Sequence, residues 1–238
     1  MINKLFAKNY SIIVFKTEAL NINKITIGGC NDTMKENMRK IVEEGYENGD
    51  FAGFFRNDDE LESLQKSFLD HLIKLLPEKS QVLDFGCGIG IPFDKYLIEN
   101  DCKVTGIDIS QKHIEKAKNN VPNGNFIKGD FSEISFESKF NAIISFYAIF
   151  HLPREEHYDL FLKMHDILKE NGYILITLGT SEGYLENQDW CGAKMVWDNY
   201  DPNKYKELLE KAGFKLIKTE FEGQPEDEYH FWVLAQKK

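Results

Sequence analysis

The stretch VLDFGCGIG combines an apolar run, a single acid and three glycines at alternating positions. Gly86, Gly88 and Gly90 would let a ligand lie directly against the backbone where a strand turns into a helix. Ile91 stands where a dinucleotide-binding turn carries a further glycine. Asp84 would repel a pyrophosphate but attract an ammonium group. The turn therefore predicts a site for a ligand with a cationic end.

Two further acids end the next predicted strands, Asp108 after KVTGI and Asp130 after NFIKG. A carboxylate at the tip of the second strand can accept hydrogen bonds from both ribose hydroxyls. Asp130 could accept the exocyclic amine of adenine, with Ile109 and Phe131 beside the base. Each acid has a simpler interpretation, Asp108 as a helix-entry residue and Asp130 as a turn former. Together with the ammonium site, they outline S-adenosylmethionine.

The elements that must position these residues follow from an alternating pattern. The runs QVLDFG, KVTGID, NFIKGD, NAIISF and GYILITLG are short and rich in β-formers, and residues 92–98, 110–118 and 153–169 are candidate crossover helices. This alternation predicts an α/β fold with parallel strands in a doubly wound sheet. After a helix that opens at Asp201-Pro202, FKLIKTEFE and YHFWVLAQ are joined by a short turn-rich segment, which predicts antiparallel neighbours.

The rest of the chain divides by composition. Residues 1–33 are expected to form a peripheral arm or extension, and residues 34–238 a single unit. Within that unit we predict four parts: a helical cap (34–77), a cofactor-binding core (78–179), a substrate-side insertion (180–201), and a final helix with its hairpin (202–238).

The segments VLDFGCGIG, VTGIDIS, FIKGDF and NAIISFYAIFH occur in an order and spacing that resemble class I S-adenosylmethionine-dependent methyltransferases. The similarity runs from about residue 41 to the end. This resemblance implies a seven-stranded, mostly parallel, Rossmann-like sheet with an antiparallel C-terminal hairpin strand. Within the family, the sequence most resembles the small members that modify small molecules. Family membership implies that Asp84, Gly86, Gly88 and Asp108 hold the cofactor. Ile89 departs from the small or hydroxyl residue common in this turn.

The predicted cofactor is S-adenosyl-L-methionine, and no metal is expected. Arg56 is a candidate partner for the methionine carboxylate, or an ordinary surface arginine. With it, the predicted cofactor site comprises Asp84, Gly86, Cys87, Gly88, Gly90, Asp108, Ile109, Asp130, Phe131 and Ser145.

Catalytic candidates lie in FYAIFHLPREEH, just past the fourth predicted strand. His151 is the first choice for a general base or for orienting the acceptor, and Tyr147, four residues earlier, would face the same cavity if this turn is helical. The alternative is a local hydrogen bond of His151 at a helix entry. His71 and His113 are expected at helix surfaces, and His157 and His165 at surface or boundary positions of the long helix. His230, in the last strand, is expected to have a structural role.

The insertion TSEGYLENQDWCGAKMVWDNYDP carries four aromatic residues, which is many for a solvated loop. We predict a cover over the acceptor pocket, with Trp190 and Trp197 as walls. The alternative is a satellite core beneath a long loop. The helix from Met34 through Tyr46 is expected to close the opposite side.

Composition narrows the function classes. Twenty-nine Lys and Arg against 39 Asp and Glu give a formal charge of −10, which disfavours a nucleic-acid partner. The four cysteines lie far apart, a spacing that matches neither a zinc site nor a disulfide framework. No apolar run is long enough to span a membrane. We expect a cytoplasmic monomer or homodimer.

The predicted function is methyl transfer by direct displacement to an O, N, S or C atom of a small molecule. Two alternatives stay open from the sequence: an NAD(P)-dependent oxidoreductase, and a regulatory protein that binds S-adenosylmethionine without chemistry.

Overall fold

The computed structural model describes residues 32–51, 53, 60–223 and 230–238 of the 238-residue chain. The arm expected at residues 1–33 lies almost wholly outside these residues, and the predicted domain boundaries stay predictions. In chain order the elements are α1 (Asp32–Asn48), α2 (Ser63–Leu75), β1 (Gln81–Phe85), α3 (Phe93–Glu99), β2 (Lys103–Asp108), α4 (Gln111–Asn120), β3 (Asn125–Lys128), β4 (Phe140–Ser145), α5 (His157–Ile167), β5 (Leu168–Leu178), β6 (Gly183–Trp190), β7 (Ala193–Asn199), α6 (Pro202–Lys211), β8 (Phe214–Glu222) and β9 (His230–Lys237). Short 3-10 helices at Ile149–His151 and Arg154–Glu156 join β4 to α5.

Seven strands form one sheet in the order β3-β2-β1-β4-β5-β9-β8. Strands β1 to β5 pair in parallel, and β9 runs antiparallel to both of its neighbours. The predicted doubly wound, mostly parallel α/β sheet with an antiparallel hairpin strand is therefore confirmed. The strand order reverses direction between β1 and β4, and ligands bind at such switch points beyond the carboxyl ends of the strands.

The two faces of the sheet bury separate apolar clusters because successive strand residues point to opposite sides. Leu83 of β1 packs with Phe161 of α5 and Leu209 of α6 on one face. Its neighbour Val82 packs with Phe68 of α2 on the other face. Parallel strands buried on both faces read as continuous apolar runs, as VLDF and AIIS do.

Side chains cap the helix N-termini at two places. The Ser110 side chain accepts a hydrogen bond from His113 N at the start of α4, and Asp201 accepts from the first turn of α6. The long crossover helix was predicted to reach residue 169, and this is wrong. α5 ends at Ile167, and Asn171, with φ of 60°, lies in β5 near its register shift against β4.

The predicted insertion is not an irregular loop but an antiparallel pair, β6 with β7. Its Met195 and Val196 are buried against Met38, Ile41 and Val42 of α1. The α1 helix and this hairpin therefore pack together on one side of the molecule, rather than facing each other across a pocket. None of the described helices is both long enough and apolar enough to cross a membrane.

Candidate functional site

The glycine turn after β1 adopts backbone conformations that other residues rarely take. Gly86, Gly88 and Gly90 have φ of 82°, 54° and 79°. A Cβ on Gly86 would stand 2.4 Å from the Cβ of Ala148, whereas a Cβ on Gly88 would meet no atom within 4 Å. Gly86 is thus required by a close approach of the chain, and Gly88 leaves an open cradle beside the backbone.

Asp108, the last residue of β2, closes over this turn. Its carboxylate accepts hydrogen bonds from the backbone N–H of Gly88 at 2.8 Å and of Ser110 at 2.9 Å. His113 Nδ1 lies 3.3 Å from the same carboxylate. These contacts fix the Asp108 side chain at the sheet edge, where it faces the cavity described below.

Asp84 of β1 is 2% exposed, and none of the described groups donates a hydrogen bond to its Oδ1. Burial raises the pKa of Asp84 to about 7, a hydrogen bond with Asp94 lowers it, and the charge of Asp108 raises it further. Burying a carboxylate oxygen that receives no hydrogen bond costs free energy, so a cationic ligand beside Asp84 would stabilise its ionised form.

One cavity collects most of the predicted residues. Its lining includes Asp84, Gly86, Cys87, Gly88, Asp108, Ile109, Asp130, Phe131, Tyr147 and His151. Gly90 and Ser145 lie behind this surface: Gly90 packs near Val121, and the buried Ser145 Oγ donates to the Phe85 carbonyl at 2.8 Å. Arg56 lies outside the described residues.

Asp130 reaches the cavity but is already engaged by protein groups. Arg39 Nε of α1 donates to one carboxylate oxygen at 2.9 Å, and the N–H and Oγ of Ser132 donate to the other at 2.8 and 2.6 Å. Arg39 also pairs with Glu156, and together these partners raise its pKa against the opposing effect of burial. The contact with Ser132 is that of a turn former, and the adenine-amine role stays a prediction.

His151 is 6% exposed and is held by two hydrogen bonds. Its Nδ1 lies 2.7 Å from the Val196 carbonyl oxygen, which can only accept, so Nδ1 carries the proton. Nε2 is then the unprotonated nitrogen, and it accepts from the Tyr46 hydroxyl at 2.7 Å. Burial lowers the His151 pKa to about 4, although the Val196 hydrogen bond and the Asp108 charge oppose the shift. The ring is therefore a neutral base whose acceptor nitrogen is directed at α1.

Tyr147 lines the cavity with φ of 58°, a conformation stabilised by a hydrogen bond from its N–H to Thr177 Oγ1 at 2.6 Å. Its hydroxyl donates to Glu222 of β8 at 3.0 Å, and His230 Nδ1 lies 2.9 Å from the same carboxylate. The carboxylate is 7% exposed, and its hydrogen bonds lower the Glu222 pKa in spite of burial. This network anchors Tyr147 to the far edge of the sheet.

Sequence reasoning missed three polar or charged residues that line the cavity: Arg39, Tyr46 and His113. His113 was expected at a helix surface, but it is 3% exposed. The signal available was its position one turn after the Ser110 cap, which turns it back toward the sheet edge. No local signal marks Arg39 or Tyr46, because their partners lie about 91 and 105 positions away.

Two further expectations about aromatic and histidine residues need correction. His157 was expected near the surface, but it is fully buried and its Nδ1 lies 3.1 Å from the Tyr205 hydroxyl. Trp190 and Trp197 pack with the α1–hairpin cluster, and among the described residues the cavity wall on this side is formed by Tyr46 and Phe51 instead. The hairpin is thus a satellite core that supports α1.

A glycine turn and strand-end carboxylates at the carboxyl edge of a parallel sheet define a nucleoside-binding α/β protein. Comparison with known proteins narrows this class. Residues 82–172 match the family described as "Methyltransferase domain". The fold resembles that of 1,6-didemethyltoxoflavin-N1-methyltransferase from Burkholderia thailandensis, solved with its toxoflavin precursor and S-adenosylhomocysteine. The TM-score is 0.67 at 18% identity, over 91% of this chain and 93% of that one.

Curated relatives match over shorter regions. Sterol 24-C-methyltransferase from Debaryomyces hansenii is 30% identical over 112 residues, which is 44% of this chain but 29% of that protein. Phosphoethanolamine N-methyltransferase from Plasmodium falciparum is 31% identical over 150 residues, 61% of this chain and 51% of that protein. The aligned region thus spans only part of these relatives. Residues 82–172 therefore match a methyltransferase domain, and the seven-stranded fold that contains them is that of the class I S-adenosylmethionine-dependent methyltransferases.

Proposed function

We propose that this protein transfers the methyl group of S-adenosylmethionine to a proton-bearing O, N or S atom of a small molecule. The observation that carries the proposal is the placement of three groups in one cavity: the buried carboxylates of Asp84 and Asp108, and the neutral base His151. The two acids suit the ammonium group and the ribose hydroxyls of the cofactor, and the base suits an acceptor that must lose a proton.

The residues present fit the cofactor. The donor-poor Asp84 carboxylate would take the ammonium group, Asp108 the ribose hydroxyls, and the cradle at Gly88 would admit the ligand against the backbone. Ile109 and Phe131 would flank the adenine. When bound, S-adenosylmethionine supplies a methyl group activated by a positively charged sulfur. The task left to the protein is to align the acceptor and exclude water.

His151 gives this alignment a chemical direction. Since Val196 fixes the Nδ1–H tautomer, Nε2 can accept a proton and cannot donate one. The Tyr46 hydroxyl now donates to Nε2, in the place where an acceptor O–H, N–H or S–H would donate. A base in this position would take up the acceptor proton as the new bond to carbon forms. Tyr46 would then hand its hydrogen bond to the acceptor or pass on the proton.

A small acceptor is supported by how the cavity is enclosed. The described residues of α1 cover one side with Arg39, Val42 and Tyr46, and Tyr147 closes another. The formal charge of −10 disfavours a phosphate-rich polymer. The named relatives and the structural neighbour act on a sterol, on phosphoethanolamine and on a toxoflavin precursor by their names, which favours small molecules as a class without selecting one.

Two measurements test the proposal. Calorimetry should show binding of S-adenosylhomocysteine and no comparable binding of NADH; a preference for NADH would overturn the methyltransferase interpretation. Methyl transfer is then sought by incubating the protein with metabolite extracts and isotope-labelled S-adenosylmethionine, with mass spectrometry of the products. We expect a labelled O-, N- or S-methyl product that is lost with His151→Ala. A product labelled on carbon would contradict the proposed acceptor class.

A further inference from the structure

A second acid is buried directly behind Asp84. Asp94, the second residue of α3, is fully buried, and no described group donates a hydrogen bond to either of its carboxylate oxygens. Its hydrogen-bonding partner is the Asp84 side chain itself. A carboxylate can donate only when it is protonated, so the two acids form a pair that must hold at least one proton between them.

The charges around the pair do not neutralise it. Asp108 adds a third carboxylate nearby, and burial together with the charges of the three acids raises the pKa of the Cys87 thiol. His113, Tyr147 and His151 line the same cavity from other elements, and His151 stays neutral near pH 7. Arg39 also reaches the cavity, but its guanidinium pairs with Asp130 and Glu156. Among the described residues no cation pairs with these two acids, and burial raises the pKa of both members, that of Asp84 to about 7.

We infer that Asp84 and Asp94 form a proton-sharing acid pair that gives up a proton when it takes the ammonium group of the cofactor's amino-acid end. The inference rests on the proposed function for the identity of the ligand. In this step the ammonium keeps its protons, the acid pair releases one proton to solvent, and the ionised Asp84 carboxylate faces the cation. Asp94 is then a positioning residue, since its remaining proton is donated to Asp84 and directs that carboxylate's free oxygen to the ligand.

A bound metal ion is a less suitable occupant for these acids. Within the residues that the structure describes, no three His, Cys, Asp or Glu side chains are placed to hold a metal. An ammonium group needs only one ionised carboxylate and forms strong charge-assisted hydrogen bonds with it.

The test compares two ligands that differ only at the relevant end. S-adenosylhomocysteine carries the amino-acid end, and 5'-methylthioadenosine lacks it while keeping adenine and ribose. Their affinities for the full-length protein are measured by calorimetry at pH 6, 7 and 8, in buffers of different ionisation enthalpy. Since a group with a pKa of about 7 is mostly protonated at pH 6, S-adenosylhomocysteine should bind about tenfold more weakly at pH 6 than at pH 8. It should release about half a proton at pH 7, whereas 5'-methylthioadenosine should release none.

Asp94→Asn sharpens the test because the amide keeps a donor for Asp84 and cannot titrate. Because the titrating group is Asp84, proton release should persist in this variant, whereas Asp94→Ala, which removes the donor, should raise the Asp84 pKa and increase the proton release at pH 8. Asp101→Asn, the same change at an exposed position just after α3, serves as the matched control and should behave as the wild type.

The outcomes separate the two proposals. Equal pH dependence for both ligands, or S-adenosylhomocysteine binding with no proton release, would overturn the acid-pair inference and leave the methyltransferase proposal standing. Unchanged proton release at pH 8 in Asp94→Ala would also overturn it. Failure of both nucleosides to bind would remove the proposed function, and this inference with it. The comparison of the two ligands on the wild type decides the matter even if Asp94→Ala fails to fold.

Discussion

The proposed cofactor side of the cavity, around Gly88 and Asp108, and the proposed acceptor side, around Tyr46, Tyr147 and His151, are built in different ways. The cofactor side comes from one stretch of chain, in which Asp108 accepts from the Gly88 backbone only 20 positions away. The acceptor side is assembled from distant segments, since Tyr46 meets His151 across 105 positions and Tyr147 meets Glu222 across 75. Backbone geometry holds the first side, and contacts between side chains hold the second. A fold with many acceptors can change the second side without disturbing the first.

The largest effect is expected on the acceptor side, from His151→Ala. Loss of the base should lower the rate of methyl transfer by about 10²–10⁴-fold. The affinity for S-adenosylhomocysteine should change little, because His151 is placed toward the acceptor. Turnover is measured with the acceptor found in the extract screen, and His71→Ala, on α2 outside the cavity, is the control. A variant that binds the cofactor poorly but turns over normally would reverse the roles assigned to the two sides.

On the cofactor side, Asp108→Ala should weaken binding of S-adenosylhomocysteine by roughly 1–3 kcal/mol, because a charged acceptor of hydroxyl and backbone groups is lost. Calorimetry measures this below the unfolding temperature of the variant. Asp159→Ala removes an exposed acid from α5 and should leave the affinity unchanged. Unchanged affinity in Asp108→Ala would remove this residue from the cofactor site.

The glycine turn allows a matched pair of substitutions. Gly88→Ala should lower the free energy of unfolding by about 1–2 kcal/mol, the cost of a left-handed backbone for a residue with a Cβ. Gly86→Ala should cost about 1–3 kcal/mol more, because its Cβ would also strike that of Ala148. Denaturant unfolding measures both. Equal losses would show that Ala148 can move away, and that the close approach is not required.

A smaller effect is expected from Arg39→Gln, which removes the ion pairs that join α1 to Asp130 and Glu156. Side chains that are 22%, 16% and 18% exposed make these pairs only partly screened, so the loss is roughly 1 kcal/mol. Hydrogen exchange should rise in α1 and stay unchanged in the glycine turn. Lys40→Gln, at a residue 72% exposed, is the control. Faster exchange in both regions would show that the two sides are not independent.

The smallest effect is an expected absence of titration. Because burial lowers the His151 pKa to about 4, its ring should remain the neutral Nδ1–H tautomer from pH 8 down to about pH 5. Nitrogen NMR of the ring, assigned with His151→Gln, measures this. At saturating cofactor, loss of turnover over this range should therefore not follow His151 protonation. A ring that titrates near 6.5 would show that the site is wetter than its burial indicates.

The sheet and the cofactor side could be predicted because their signals are local. Apolar runs, the glycine turn and strand-end acids lie within a few residues of one another, and sheet topology brings strand ends together. The α1 contacts could not be predicted, since nothing beside Tyr46 indicates that it meets His151. The β6–β7 pair was missed because its sequence, rich in polar and aromatic residues, resembles that of a loop. Gly90 and Ser145 were predicted to belong to the cofactor site, yet both lie behind the cavity surface.

The sequence by itself determined the alternating α/β architecture and the acids at the strand tips, because these depend on short-range patterns and on the common edge of parallel strands. Only the tertiary structure decided which groups those acids meet. Asp94 is hydrogen-bonded to Asp84, and Arg39 forms an ion pair with Asp130. The Val196 carbonyl oxygen fixes the proton on Nδ1 of His151. Such partnerships depend on the distances between side chains of separate elements, and packing sets those distances.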